Sequence, residues 1–172
     1  MTENNSNISE SSMNKTFIQV QTSDFDVGAE QQEFSDPSIG AVVAFTGLVR
    51  EFSEHPEVQA LTLEHYPGMT EKSLFAITEQ ARQRWPLQQI RIIHRIGRLA
   101  VGEQIVYVGV SSAHREAAFE GCRFIMDYLK TDAPFWKQEH TRTGDVWVDA
   151  REKDQQARQA WQTDAPDTQD KR

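Results

Sequence analysis

The chain has 172 residues, with 26 acidic side chains against 18 Lys and Arg, for a formal net charge of −8. That length suits one domain with tails, large enough to bury about 70% of the surface its unfolded chain exposes without disulfide staples. The acidic balance argues against a general nucleic-acid binder, the single cysteine excludes an internal disulfide, and no run approaches the ~20 apolar residues of a membrane span.

Residues 1–15 are rich in Asn, Ser and Glu, with no cationic start and no apolar run, so they read as a disordered segment and not as a signal peptide. A domain is expected over 16–162 and a polar tail over 163–172. Phe17 to Thr22 alternates as a strand, and Val27 to Phe34 suits a short helix stopped before Asp36-Pro37. Ala41 to Thr46 is a compact β-branched run that ends at Gly47 and leads into Arg50. Val58 to Glu64 is a half-buried strand, followed by turn chemistry at Tyr66-Pro67-Gly68. The period then changes to 3.6, with Leu74, Ile77, Ala81 and Trp85 on one stripe, Thr70 as a possible N-cap and Pro86 as the stop.

Ile90 to Ile96 is the next strand, Gly97 to Gly102 a turn, and Ile105 to Val110 the most β-like run of the chain. A second long helix follows Ser111-Ser112 and buries Ala118, Cys122, Ile125 and Leu129; Cys122 thus belongs to the core. Beyond Pro134, Trp136 to His140 and Val146 to Val148 pair across a loop containing Gly144. Strands arriving in adjacent pairs predict an α+β fold with a largely antiparallel sheet and two long helices.

Chemistry concentrates in Tyr128 to Glu139, where Lys130 and Lys137 flank the helix stop. A cation in the last turn of a helix is favoured by about 0.3–1 kcal/mol through the carbonyl dipoles, which is enough to explain Lys130. Lys137, beside Phe135 and Trp136, has no such explanation. The two ammonium groups meet only if the chain folds back at Ala133-Pro134. Ser111-Ser-Ala-His-Arg115 places His114 and Arg115 where unpaired helix N–H groups attract a phosphate or carboxylate, although a surface pairing of Arg115 with Glu116 is the plainer alternative. Arg50 follows a buried strand. Arg151 lies in a run of alternating charge that usually marks a solvated face. The five histidines lack ligand spacing, and no glycine-rich phosphate loop or Gly-x-Ser-x-Gly elbow occurs, so neither metal nor cofactor is expected.

Five stretches together resemble the MoaE family, the large catalytic subunits of molybdopterin synthase. They are Gly40 to Arg50, Leu61 to Met69, Ile93 to Gly97, Val108 to Arg115 and Phe124 to Lys137, in family order over about Phe17 to Trp161. The resemblance implies an α/β hammerhead-type fold and a sulfurtransferase of molybdenum cofactor biosynthesis. It also implies a central homodimer within a heterotetramer and a cytoplasmic setting. The implied partner is a small ubiquitin-like, MoaD-like subunit whose C-terminal Gly-Gly carries a thiocarboxylate. The implied substrate is cyclic pyranopterin monophosphate, which receives two sulfurs in succession to give the dithiolene of molybdopterin.

By the same resemblance Lys130 and Lys137 match the family's active-site lysines, with Lys130 the first choice for contact with the thioacyl group. His114, Arg115 and Arg50 match substrate-binding positions, Gln138 and Glu139 positions lining the pocket, and Arg151 an arginine reached from a neighbouring subunit. Position 138 departs from relatives that carry a cation there. Phosphate and thiocarboxylate are both anions. One ion pair at 4 Å is worth about 4 kcal/mol at an effective dielectric near 20, so several cations are needed to hold the two together. A non-catalytic module that only docks the Gly-Gly tail is the competing reading.

Overall fold

The computed structural model describes residues 14–51, 57–149 and 152–163. The expected disorder over residues 1–13 and the tail beyond 163 lie outside these residues; Lys15, expected in the disordered segment, already belongs to the first strand. The elements run β1 (Lys15–Gln21), α1 (Val27–Gln32), β2 (Ala41–Leu48), β3 (Val58–His65), α2 (Met69–Arg84) and β4 (Leu87–Arg95). They continue with β5 (Gly97–Ala100), β6 (Gln104–Ser112), α3 (Arg115–Asp132), β7 (Phe135–Thr141), β8 (Gly144–Val148) and α4 (Glu152–Thr163).

The α+β class holds, with two four-stranded sheets in place of a single one. The first has order β1-β4-β6-β2, the second β5-β3-β7-β8. Among the described residues β1 and β4 alone pair in parallel, and every other pairing is antiparallel. Alternation along β4 and β6 sends Ile90, Ile92, Val106, Val108 and Val110 into the core under α2 and α3. Ile93 and Tyr107 point to the other face, where Phe25 and Phe34 cover them. A smaller cluster of Val49, Leu61, Leu63 and Leu99 lies on the second sheet. Cys122 is buried in the main core, and burial pushes its thiol up to about 12, which leaves it inert.

Two elements depart from the sequence reading. The expected turn after Ile96 contains β5, a four-residue strand bracketed by Gly97 and Gly102 at φ +86° and +88°. Such a strand is too short to show a period. The end of the alternating-charge segment, Glu152 to Asp154, opens α4, which docks through a single large apolar anchor. Trp161 is buried against Trp85 and Phe124, and its indole N–H donates to Asp127 Oδ2 at 2.8 Å. Thr70 is not an N-cap either. Gly68 holds that position, and its N–H donates to the Glu71 carboxylate at 2.7 Å.

Because Trp161 is the one buried side chain among the described residues of α4, Trp161→Ala should cost about 3–5 kcal/mol of unfolding free energy, read by urea denaturation. A loss below 1 kcal/mol, of the order seen for surface changes, would mean that α4 is not anchored this way.

Candidate active site

Pro134 lacks the N–H that another helical turn needs, and Ala133 accordingly leaves the helix at φ −78°, ψ 130°. The chain reverses directly into β7. The last turn of α3 and the inward face of β7 therefore border one cavity of about 660 Å³, and both Lys130 and Lys137 line it. Leu61 and Leu63 of β3 form one apolar wall, with Met126 and Leu129 of α3 opposite. Arg50 reaches the rim from the end of β2. Its neighbour Val49 is pinned there, donating to Glu103 O at 2.9 Å and accepting from Gly102 N–H at 2.7 Å.

The period of two along β7 sorts the remaining candidates. Lys137 and Glu139 face inward, across from Leu63 and Leu61. Lys137 Nζ lies 3.6 Å from Glu139 Oε1, whose side chain is only 2% exposed. Gln138, expected to line the pocket, does not do so: it falls on the opposite face, between Thr62 and Trp147. Lys130 Nζ lies 3.8 Å from Asp154 Oδ1 on α4, and half of the Lys130 side chain is exposed. A pair that open to water is worth at most about 1 kcal/mol, so an arriving anion can displace the carboxylate.

His114 and Arg115 sit elsewhere. Both are exposed at the start of α3 and neither lines this cavity. Arg115 is fifteen residues from Lys130 along the helix, or about 22 Å at 1.5 Å per residue. Ser111 and Ser112, read as a helix lead-in, complete β6; Ser112 Oγ donates to Pro86 O at 2.9 Å and accepts from His114 N–H at 3.3 Å. Arg151 lies outside the described residues.

Three lining groups went unnoticed in the sequence. Lys153 and Asp154 come from the unexpected α4, and His94 from the end of β4. Alternation along β4 puts His94 on the same face as the core residues Ile90 and Ile92, and that period was the available signal for it. Its ring is buried and stacked on Phe135, with centroids 3.7 Å apart and planes 15° from parallel. Nδ1 lies 2.8 Å from Arg95 O, and because a carbonyl only accepts, Nδ1 carries the proton. Burial pushes this imidazole down from 6.5 to about 4, against a weaker opposing pull from that hydrogen bond.

An α+β domain that gathers Arg50, Lys130, Lys137 and Lys153 around an apolar-walled cavity has the equipment of a transferase acting on anions. Comparison with known proteins gives the particular kind. A family model described as MoaE protein matches residues 20–132. The molybdopterin synthase catalytic subunit of Escherichia coli K12 is 57% identical over 150 residues, covering 87% of this chain and 100% of that protein. Its Vibrio cholerae counterpart is 56% identical over 146 residues, covering 84% and 97%. The solved MoaE protein of Burkholderia ambifaria superposes with a TM-score of 0.74 at 48% identity, covering 86% of this chain and 98% of that one. The chain belongs to the MoaE family.

The His94 environment carries a pH signature. With the folded-state value below the unfolded one, its contribution is intact above pH 6.5 and is lost as pH falls through about 4. Between pH 7 and pH 4, wild type should lose about 3 kcal/mol more unfolding free energy than His94→Gln, read by urea denaturation. Parallel profiles for the two proteins would remove this assignment.

Proposed function

We propose that this chain is the sulfur-transferring subunit of a molybdopterin synthase, acting on cyclic pyranopterin monophosphate with a small ubiquitin-like partner as sulfur donor. The observation that carries the reading is the meeting of Arg50, Lys130 and Lys137 on one apolar-walled cavity in a MoaE-family chain. Substrate phosphate and the partner's thiocarboxylate repel one another. Cations held against apolar walls offset that repulsion more than they would in open water. Lys130, the most accessible of the cavity's lysines that match the family, compensates charge on the thioacyl oxygen and acts as general acid or base. Lys137, held beside buried Glu139, binds and orients the substrate or the tail.

His114 and Arg115 join this site from a second copy of the chain. Arg115, Phe119, Arg123 and Lys130 fall on one side of α3, within about 80° of arc at 100° per residue. Phe119 and Phe45 are exposed beside a groove of about 390 Å³ that Lys130 also lines. Two such helices packed antiparallel about a two-fold axis would bring each Arg115 to the other's Lys130, a self-complementary arrangement. The same reading places the chain in the cytoplasm, where a lone reduced thiol such as Cys122 is at home.

In an assay with thiocarboxylated partner and precursor, Lys130→Ala should lower dithiolene formation by about 10² to 10⁴-fold. Wild-type turnover by that variant would sink the role given to Lys130, and no product from wild type would sink the enzyme reading in favour of a docking module. Mixing inactive Lys130→Ala and Arg115→Ala chains should restore about a quarter of the wild-type rate, because each mixed dimer contains one intact site. No recovery, with mixed dimers shown to form, would rule out the shared site.

A further inference from the structure

We propose that Thr70 and His94 are positioning residues of this site, gripping the Ala133–Phe135 elbow from two sides so that Lys130 and Lys137 keep their working separation. The proposal rests on the sulfur-transfer reading above for its readout, and on separate geometry for its argument.

The chain passes between the helical layer and the second sheet at neighbouring points. It leaves β3 for α2 through Tyr66-Pro67-Gly68, and it leaves α3 for β7 through Ala133-Pro134. Thr70 ties these two crossings together with one hydroxyl. Its Oγ1 accepts from Tyr66 N–H at 3.1 Å and donates to Pro134 O at 3.1 Å. The side chain is fully buried, so no water competes for either bond. On the other side, the His94 ring lies flat on Phe135, the first residue of β7, and is itself fixed in plane by its bond to Arg95 O. Within the elbow, Phe135 N–H donates to Ala133 O at 2.8 Å. The first sheet, the helical layer and the second sheet thus converge on three residues.

Leverage makes this clamp matter for chemistry. Lys137 is three residues beyond Pro134, a reach of about 10 Å in extended chain, so a change of only ~6° in the angle between α3 and β7 moves it about 1 Å relative to Lys130. A displacement of that size at a reacting centre can cost about a hundredfold in rate. Pro134 itself has no N–H to donate. Its carbonyl is the group that can be held, and Thr70 holds it.

The test uses the full chain with its thiocarboxylated partner and precursor, comparing Thr70→Val, Thr70→Ser, His94→Leu and His94→Phe. Thr70→Val keeps the shape and removes the hydroxyl; Thr70→Ser returns it. His94→Phe keeps a flat ring on Phe135, which His94→Leu does not. The expected result is a kcat lowered about tenfold or more in Thr70→Val and His94→Leu, with KM for the precursor little changed, and recovery in Thr70→Ser and His94→Phe. A lowered melting temperature with wild-type kcat for the folded protein would overturn the proposal. So would failure of Thr70→Ser to recover. If Thr70→Val does not fold, the His94 pair decides alone by the same criterion. A second readout needs no partner: the ratio of acetic anhydride labelling at Lys137 to that at Lys130, measured by mass spectrometry, should shift in the two damaging variants. If wild type itself forms no product, the sulfur-transfer reading falls, and an unchanged labelling ratio would then overturn the clamp independently.

Discussion

The site depends on a helix that is not allowed to continue. Without the proline, α3 would carry Lys137 on to nearly the same face as Lys130, roughly 10 Å further along the axis and away from the second sheet. With it, the chain returns as the central partner of β3 and β8, and the face of β7 that carries Lys137 becomes a wall opposite the end of α3. One missing N–H therefore joins a helical layer to a sheet at an angle that leaves a cavity between them. The apolar residues of both elements then line it, because each has one face to bury and neither can close the gap.

Charge inside this cavity is arranged against the character of the whole chain. The protein is strongly acidic, yet four cations meet the carboxylates of Glu139, Asp149 and Asp154 around the cavity. The carboxylates differ in what they do. Glu139 is sealed from solvent and keeps its lysine in place at a fixed distance, whereas Asp154 shares an open pair that exchanges readily with an arriving anion. His94 adds polarity without adding charge at neutral pH, since burial disfavours its cationic form. An anion entering here meets cations whose counter-ions are held with unequal strength.

Much of the fold was legible because its signals are local. The β-branched runs of β2 and β6 and the apolar stripes of α2 and α3 appear at the expected places, as do Pro86 and Pro134 as stops. β5 was not legible because it exists only by pairing with β3. The charged run over α4 hid a helix for a similar reason: most of it faces water, and its docking is decided by Trp161 finding a partner surface made of α2 and α3 residues. At the site, Gln138 could have been placed correctly, since alternation alone sets it opposite Lys137 and Glu139. Thr70 could not. Its hydroxyl suits a helix cap equally well, and only the tertiary fold brings Pro134 within reach. The distance between Arg115 and Lys130 was readable from helix rise, but not that the cavity lies at one end of α3 alone.

The alternation along β7 has a consequence for how sequences of this kind can vary. Side-chain identity in the elbow is replaceable to the extent that the carbonyl and the ring stay where they are. Its length is not. Adding or removing one residue between Asp132 and Lys137 would rotate the strand by half its period, turning Lys137 and Glu139 to the outside and bringing Trp136 and Gln138 in. A change of that sort disables the cavity without deleting any functional group, so the stretch can absorb a substitution more readily than an insertion or a deletion.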